Sequence, residues 1–206
     1  MKKIQLLIFF YGCLLVSCTE NQLVSPYVYN TNPKYTWGYV EYFGQEYAGY
    51  GIKNNLMSVS LFSDSLSIDS TAALVGTGQF LFLEDVYVSP TDKILQLKTY
   101  TISNSHEPYT VSPGKRDTVD TEVFPINAYI TYYEENTAKS VIKYITEGTF
   151  TVSMTGSQYV FSCDFKTDDK KALKGTFTGK LGYADESLTP EISRVKGHPH
   201  FLYFPR

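Results

Sequence analysis

Four pairs of adjacent acidic residues are the first candidates for chemistry in this chain, because two carboxylates can share the acid and base roles of a glycosidase. Neighbouring side chains on a β-strand point to opposite faces, so the two members of a pair cannot work together within a strand. We interpret the pairs as solvated groups at strand ends and in loops, and we predict no catalytic residue among them. They are Glu84-Asp85, Glu134-Glu135, Asp168-Asp169 and Asp185-Glu186.

Histidine, cysteine and serine offer no stronger catalytic pattern. His198 and His200 stand two residues apart and could share one face of an extended segment as metal ligands, but the sequence fixes no third ligand. Cys163 alternates with Phe161 and Phe165, which predicts a small core residue instead of a nucleophile. No Gly-x-Ser-x-Gly elbow occurs in the chain. We therefore predict a protein that is not an enzyme and that holds no metal and no cofactor.

Cys18 carries the most specific chemical signal of the sequence. Two lysines precede an apolar run, residues 4–16, that is too short to span a bilayer comfortably as a helix. A basic head, a short apolar core and a small residue before the cleavage point are typical of a secretory signal. The tetrapeptide LVSC that ends at Cys18 resembles the bacterial lipobox. The resemblance implies that the Cys18 thiol is acylated and that residues 1–17 are removed.

Acylation at Cys18 would anchor the chain to a membrane. One acyl chain binds only marginally, at about 0.8 kcal/mol per buried CH₂, so stable anchoring needs several chains, as in a triacylated cysteine. By resemblance to lipoprotein sorting, Thr19 in place of aspartate favours the outer membrane. Glu20 stands alone instead of in an acidic cluster, which leaves the periplasmic face and the cell surface both open. The alternative is an ordinary cleaved signal peptide that contains a cysteine, as Cys13 illustrates.

Composition indicates which partners the protein can bind and whether disulfide bonds can stabilise its fold. Removal of 17 residues from the 206-residue chain would leave 189, enough for one domain with a core. Loss of two lysines would change the formal net charge from −3 to −5, and no basic stripe remains, so nucleic acid is not an expected partner. With Cys18 acylated, Cys163 would be the last free thiol, and no internal disulfide is expected.

Short alternating runs separated by Gly, Asn, Asp, Ser and Pro predict an all-β fold, a single antiparallel β-barrel or β-sandwich domain. In residues 148–183, three runs with one apolar face predict an antiparallel meander. Gly175 and Gly179 on the apolar side of its last strand predict a sharp bend or a close approach of backbone. The predicted strands are Thr36–Phe43, Glu46–Ile52, Leu56–Phe62, Thr77–Val88, Ile94–Ile102, Tyr109–Ser112, Ile126–Tyr133, Ser140–Thr146, Thr149–Met154, Tyr159–Phe165 and Leu173–Tyr183.

Aromatic side chains exceed what one core needs, with 18 tyrosines and 13 phenylalanines. An outward row of rings could stack on sugars, line an apolar cavity or pack against a partner protein. The candidate ligand-binding aromatics are Trp37, Tyr39, Tyr129 and Tyr133. The alternative is that the second face of the sheet is covered by the tail of the chain, with residues 201–204 as the covering segment.

The signal, a polar linker and the segment GTFTVSMTGSQYVFSCDFKTDDKKALKGTFTGKL together resemble uncharacterised lipoproteins of Bacteroidota, many of which have lipocalin-like or related β-barrel and sandwich modules. The lipocalin Gly-x-Trp signature is absent, since Trp37 follows Tyr35 and Thr36. The resemblance covers the signal and roughly the last third of the mature domain. It implies a β fold and a membrane anchor, and it implies no common activity.

These segments predict a signal peptide at residues 1–17, a flexible tether at 18–33, an antiparallel β domain at 34–186 and a C-terminal tail at 187–206 that packs on the domain. We expect a non-enzymatic cell-envelope protein, anchored by lipid to the outer membrane, that binds a small apolar or glycan-like ligand. The alternative is a structural or adhesive accessory subunit whose sheet edges pair with neighbours. A hydrolase with acidic residues from distant strands is the third possibility.

Overall fold

The computed structural model describes residues 29–63, 65–70, 73–119, 122–135 and 139–188, and most of these residues lie in β-strands. The first seven strands are β1 (Lys34–Gly44), β2 (Asn55–Ser63), β3 (Ser67–Ile68), β4 (Leu74–Val75), β5 (Thr77–Val88), β6 (Thr99–Ile102) and β7 (Thr110–Val111). The other eight are β8 (Lys115–Val119), β9 (Glu122–Ile126), β10 (Ala128–Glu134), β11 (Lys139–Thr155), β12 (Gln158–Thr167), β13 (Ala172–Leu173), β14 (Thr176–Gly179) and β15 (Leu181–Asp185). A 3-10 turn, Ala48–Tyr50, follows β1.

One large sheet contains most of the strands, and its pairing returns to the first strand. β1 pairs with β2, β2 with β5, β5 with β10, β10 with β11, and β11 with β12, all antiparallel. β12 then pairs antiparallel with β14, and β14 pairs in parallel with the beginning of β1. The predicted all-β fold is therefore confirmed, and these pairings form a closed ring of strands.

The sheet is mixed. The prediction of a purely antiparallel domain is therefore wrong. β1 pairs in parallel with both β14 and β15, and β6 pairs in parallel with β7. The chain enters β1 and β14 from the same end, where the N–H of Thr176 donates to the carbonyl oxygen of Pro33 at 2.9 Å. Because the two strands start side by side, β14 and then β15 run along β1 in its own direction.

The interior of the ring holds the main hydrophobic core. Alternate residues of each strand meet there, because successive side chains of a strand point to opposite faces. The rings of Tyr100 and Phe150 stack with their centroids 4.6 Å apart, and Phe161 meets Phe150 edge-on at 6.1 Å. Burial of one such side chain contributes about 1.5–3 kcal/mol relative to exposure. Burial of these side chains therefore stabilises the described fold. The core also contains Cys163, which is a free thiol.

A second hydrophobic cluster lies on the outside of the same strands. Cross-strand pairing places Phe62 opposite Phe80 and Phe82 opposite Tyr129. The rings of Phe62 and Phe80 stack with a centroid distance of 4.7 Å. We name this surface of β1, β2, β5, β10 and β11 the outer aromatic face, and its aromatic members are Trp37, Phe62, Phe80, Phe82, Tyr129, Tyr133 and Tyr144.

The predicted antiparallel meander is confirmed. β11 and β12 join at a turn of Gly156 and Ser157, and β14 pairs with the other side of β12. The close packing predicted at Gly175 is also present, since a Cβ there would lie 2.6 Å from the ring of Tyr35. This glycine lies beside the β1–β14 pairing, where the ring of strands closes.

Two strand predictions are wrong for local reasons. Residues 46–52 form the 3-10 turn and its flanks, because Gly44 and Gly51 adopt positive φ angles of 66° and 84° on either side of it. The predicted strand 173–183 is divided into β13, β14 and β15, because the chain leaves β12 after Gly179 and continues along β1.

Other strands differ from the prediction in extent. Two predicted strands, 140–146 and 149–154, form the single strand β11, which passes through Gly148 with a φ of 115°. The predicted strand 94–102 is shortened to β6. The hairpin of β8 and β9 was not predicted, because its residues are largely charged or polar and lack a continuous apolar face.

Candidate functional site

A cleft of about 550 Å³ opens on the outside of the ring, beside the C-terminal end of β5. Four parts of the chain form its walls: the end of β5, the turn that follows β1, the segment that leads from β6 to β8, and the junction of β9 and β10. The residues that give the cleft its chemistry are Tyr47, Tyr50, Asp85, His106, Lys115 and Asn127.

A β-bulge in β5 places two carboxylates on the outside of the sheet. The pairing of β2 with β5 shifts by one residue after Leu83, so that Glu84 and Asp85 together oppose Ser58. Leu83 and Val86 both belong to the interior core, so both acidic side chains between them point outward. The expectation that neighbouring acidic residues face opposite sides does not hold at this pair, because a bulge adds one residue to the strand.

Asp85 provides a polar group at the base of the cleft. The residue is 5% exposed, and its Oδ1 accepts a hydrogen bond from the Tyr47 hydroxyl at 3.1 Å. Its backbone carbonyl accepts the N–H of Ser112 at 3.0 Å, which ties β5 to the facing segment. A carboxylate that is held in this way and largely shielded from water is a strong acceptor for ligand hydroxyl groups.

Asn127 holds a backbone conformation that L-amino acids rarely adopt, with a φ of 65°. Its N–H donates to Glu84 Oε2 at 2.8 Å, and its side-chain amide donates to the Pro113 carbonyl at 3.1 Å. These bonds fix the position of Asn127 between β9 and β10. Strained positions of this kind cost on the order of 1–3 kcal/mol each and cluster at functional sites.

His106 is the second strained residue of the cleft, with a φ of 56°. Its carbonyl oxygen accepts a hydrogen bond from the Asn54 side chain at 2.8 Å. Its ring packs against Tyr87 at a centroid distance of 5.1 Å, and Tyr87 is 1% exposed. The imidazole is therefore held at the cleft wall by both its backbone and its ring.

The rim of the cleft presents an aromatic ring and a cation. Tyr50 is 78% exposed, and its ring meets that of Tyr47 edge-on with the centroids 6.3 Å apart. Lys115 lies exposed on the rim at the start of β8. An exposed ring that is supported at its edge leaves a face available for stacking on an apolar surface of a ligand.

A second cavity, which we name the end pocket, lies where β10 ends and β11 begins. It has a volume of about 490 Å³, and its walls include Tyr29, Ile130, Val141 and Leu173. The hydroxyl of Tyr29 donates a hydrogen bond to the carbonyl of Val141 and closes part of the pocket. Tyr29, which lies in the predicted tether, thus contacts β11.

A charged cluster lies at the opening of the end pocket. Asp169 Oδ2 lies 3.1 Å from Lys143 Nζ and 3.5 Å from Lys171 Nζ. The hydroxyl of Thr167 donates to Asp169 Oδ1 at 2.6 Å. This hydrogen bond, together with the two ammonium groups, lowers the pKa of Asp169 to about 2, although its partial burial opposes the shift.

None of the four aromatic residues predicted to bind a ligand lines the cleft beside β5. Trp37, Tyr129 and Tyr133 belong to the cluster of the outer aromatic face, where Trp37 stacks on Phe62 with the centroids 3.7 Å apart. Tyr129 is 2% exposed. Tyr39 lies on β1, opposite a glycine of β15. The structure therefore brings three of the four together on one packed surface.

Of the cysteines and histidines singled out in the sequence, the structure describes Cys163. Cys163 is buried in the core as predicted, and burial raises the pKa of its thiol to about 12. A thiol with this pKa stays protonated and is a poor nucleophile. Cys18, His198 and His200 lie outside the described residues, so their roles stay predictions. Within the described ranges, no three His, Cys, Asp or Glu side chains are grouped as metal ligands.

Sequence reasoning missed the cleft because its signals are local irregularities. The Glu84-Asp85 pair inside a long apolar run was a usable signal, since an acidic pair in mid-strand needs either a bulge or a buried partner. The sequence around His106 and Asn127 does not predict a positive φ, although asparagine and histidine tolerate this conformation better than most residues.

Comparisons of the chain with protein-family models, with curated proteins and with solved structures found no match. The resemblance to Bacteroidota lipoproteins therefore stays a prediction from the sequence. In the described part of the chain, no helix has the length and apolar character needed to cross a membrane.

Proposed function

We propose that this protein is a lipid-anchored cell-envelope protein whose cleft beside β5 binds a saccharide without breaking bonds in it. The observation that supports this most strongly is the convergence of a buried carboxylate on Asp85, a fixed amide on Asn127 and an exposed ring on Tyr50. A saccharide has hydroxyl groups that donate and accept hydrogen bonds and a C–H face that packs on aromatic rings.

Each group of the cleft has its own role in this proposal. Asp85 accepts hydrogen bonds from sugar hydroxyls, and Tyr50 stacks on the apolar face of a sugar ring. Asn127 and Lys115 add polar contacts at the wall and the rim. The volume of about 550 Å³ lies within the range of about 300–1,000 Å³ that is typical of small-molecule sites.

The anchor in this proposal is an acylated Cys18, and the location is the outer membrane. The basic head, the short apolar core and the LVSC tetrapeptide support it, as does the resemblance to Bacteroidota lipoproteins. Residues 19–28 would separate the lipid from the first described residue, Tyr29. The ligand-binding domain would then act close to the membrane surface, at the periplasmic face or on the cell exterior.

We also propose that the ring of strands is a filled β-barrel of a lipocalin-like or related type, with a sandwich as the alternative. The continuous pairing from β1 through β14 and back supports a barrel. The stacked Tyr100 and Phe150 rings and their neighbours occupy the interior. Small barrels are filled by their side chains, which directs the ligand to the outside of the ring.

A glycan array probed with the purified chain tests the proposal. We expect binding by the wild type and loss of binding in Tyr50→Ala, because this change removes the stacking surface from an exposed position. Met154→Ala is a matched control, since Met154 is 43% exposed and does not line the cleft. A silent array, or equal binding by Tyr50→Ala, would contradict the proposal. Release of cleaved sugars from a bound glycan would instead indicate a hydrolase.

An apolar ligand is the other ligand class that a specific observation favours. The end pocket has apolar walls at Ile130, Val141 and Leu173, and its opening carries two lysines. Binding assays with a panel of fatty acids and with the array glycans separate the two classes. Saturable fatty-acid binding together with a silent glycan array would favour the end pocket.

The alternative function, an accessory subunit of a surface assembly, has its own support. In the described part of the chain, β15 pairs only with β1, which leaves its other edge available. Ile94 and Tyr183, 57% and 45% exposed, contribute to a groove beside this edge. An assembly through β15 would appear as a concentration-dependent increase in molar mass that Tyr183→Lys abolishes.

A further inference from the structure

The end pocket opens where two strands of the ring separate. The pairing of β11 with β12 begins at Ile145, so Val141 and Lys143 come before it. After β12 the chain turns through Lys170, which has a φ of 64°, and returns as β13. The start of β11 and the short strand β13 therefore form two walls of the pocket.

The floor of the end pocket is apolar and continuous with the interior core. Ile130 and Leu173 line the pocket, belong to the core and are 0% and 3% exposed. Tyr29 packs against the same core, and its hydroxyl donates to the carbonyl of Val141. An alkyl chain gains free energy when it displaces water from a surface of this kind, whereas buried sugar hydroxyls would need hydrogen-bond partners.

A third wall is held in place by backbone hydrogen bonds. The N–H of Asn30 donates to Gln79 Oε1 at 2.6 Å, and Gln79 Nε2 donates to the Asn30 carbonyl at 3.1 Å. The carbonyl of Thr31 accepts the N–H of Lys174 at 2.6 Å. The pocket is therefore preformed, which lowers the cost of ordering its walls when a ligand binds.

The opening of the pocket carries more positive than negative charge. Lys143 Nζ and Lys171 Nζ lie 3.1 Å and 3.5 Å from the same oxygen, Asp169 Oδ2, so this cluster contains two ammonium groups and one carboxylate. The neighbouring Asp168 directs its Oδ1 to the N–H of Tyr144 at 3.2 Å and does not line the pocket. The two ammonium groups can hold a carboxylate, as they hold that of Asp169, at the edge of an apolar cavity.

We propose that the end pocket binds a single-chain amphiphile with an anionic headgroup, such as a fatty acid. The alkyl chain lies on Ile130, Val141 and Leu173. The headgroup binds Lys143 and Lys171 and competes with Asp169 for them. The end pocket shares no lining residue with the cleft beside β5, so this inference goes beyond saccharide binding, and a silent glycan array would not affect it.

Isothermal titration calorimetry of the purified chain with decanoate tests the chemistry of the ligand. We expect saturable binding at one site, at least about tenfold tighter than for decanol, which lacks the charge, and tighter still than for decyltrimethylammonium. Octanoate should bind more weakly, by about fourfold for each methylene group that is lost. Decyl phosphate separates the two sources of an anionic headgroup, since tighter binding than decanoate would assign the pocket to a phosphate-headed lipid. Equal affinity for decanoate and decyltrimethylammonium, or no binding of either, would overturn the proposal.

Four variants test the position of the ligand. Asp169→Asn should bind decanoate severalfold more tightly, because it removes the competing carboxylate, whereas a merely structural role of Asp169 would weaken binding. Lys143→Gln should weaken binding about tenfold. Ala172→Phe should abolish it, since Ala172 is an exposed residue of the pocket wall where a ring blocks the cavity without disturbing the core.

Lys180→Gln is the matched control, because Lys180 is exposed and does not line the pocket, and its affinity for decanoate should equal that of the wild type. Weaker binding by Asp169→Asn, or wild-type affinity in Ala172→Phe, would overturn the proposal.

Discussion

At the scale of single residues, the cleft depends on a carboxylate that is kept in one orientation. Asp85 is largely shielded from water, and the Tyr47 hydroxyl supplies a hydrogen bond in place of solvent. A hydrogen bond to a charged group contributes about 1.5–3 kcal/mol. The stability of the domain and the geometry of the site are therefore coupled at this pair.

Tyr47→Phe tests this coupling, because it removes the hydroxyl and keeps the ring. We expect the free energy of unfolding in urea to fall by about 1.5–3 kcal/mol and saccharide binding to weaken. Tyr50→Phe is the matched control, since it removes the same atom from a residue that is 78% exposed, and its stability should equal that of the wild type. A Tyr47→Phe variant as stable as the wild type would contradict this account of Asp85.

Asp169 makes stability depend on pH in the acidic range. Its pKa in the folded state is about 2, against an ordinary value of 3.8, because Thr167 and two lysines favour the ionised form. A carboxyl with a lowered folded-state pKa stabilises the fold above the unfolded pKa, and this contribution is lost as pH falls from about 4 to about 2.

Asp169→Asn should therefore remove part of the loss of stability between pH 4 and pH 2 that thermal melts of the wild type show. At neutral pH the same variant should be less stable than the wild type. Asp164→Asn, at an exposed position on β12, serves as the control. Identical pH profiles of wild type and Asp169→Asn would show that the cluster at the end pocket contributes no measurable stability.

At the scale of elements, the cleft is built where two strands approach a connecting loop closely. Gly114 directly precedes β8, and its N–H donates to the Ile145 carbonyl of β11 at 2.7 Å. A Cβ at Gly114 would lie 1.7 Å from the Ala128 carbonyl oxygen at the start of β10. The loop can pass this point only without a side chain.

Gly114→Ala should consequently displace the loop and disturb the cleft wall. We expect a loss of unfolding free energy of about 1–3 kcal/mol or more, as for other overpacked sites, together with weaker saccharide binding. Gly49→Ala is the matched control, because nothing lies within 4 Å of a Cβ there. If the two variants have equal stability, the close approach at Gly114 is not present in solution.

The elements differ in how far the sequence predicts them. β12 was predictable because Phe161, Cys163 and Phe165 alternate with polar residues over its length, and one face is buried. The cleft was not, because it depends on one extra residue in β5 and on a positive φ at Asn127. The alternation of apolar and polar residues along a strand predicts neither feature, and it does not show which distant strands pair.

At the scale of the whole molecule, a packed ring of strands would be held at a membrane by the proposed lipid anchor. The ring closes through the parallel pairing of β1 and β14, strands from opposite ends of the described chain. Residues 19–28 connect this body to Cys18, where the sequence predicts acylation. If Cys18 is acylated as proposed, Cys163 is the last free thiol of the mature protein, and it is buried.

Counting reactive thiols tests both cysteines at once. In the native mature protein we expect no reaction with a maleimide, because Cys163 is buried and its thiol has a pKa of about 12. In denaturant, one thiol should react for each chain if Cys18 is acylated. Cys163→Ala should then show none. Two reactive thiols in denaturant would contradict lipidation, and rapid reaction in the native state would contradict burial of Cys163.

Nuclear magnetic resonance can show whether a saccharide binds in the cleft beside β5. The backbone amide signals of the chain are followed while the glycan with the strongest array signal is added. We predict shifts confined to the cleft, at residues 47–52, 85–87, 104–115 and 126–127. Saturating glycan that shifts no signal in these ranges, or that shifts only residues of the end pocket, would contradict saccharide binding in the cleft.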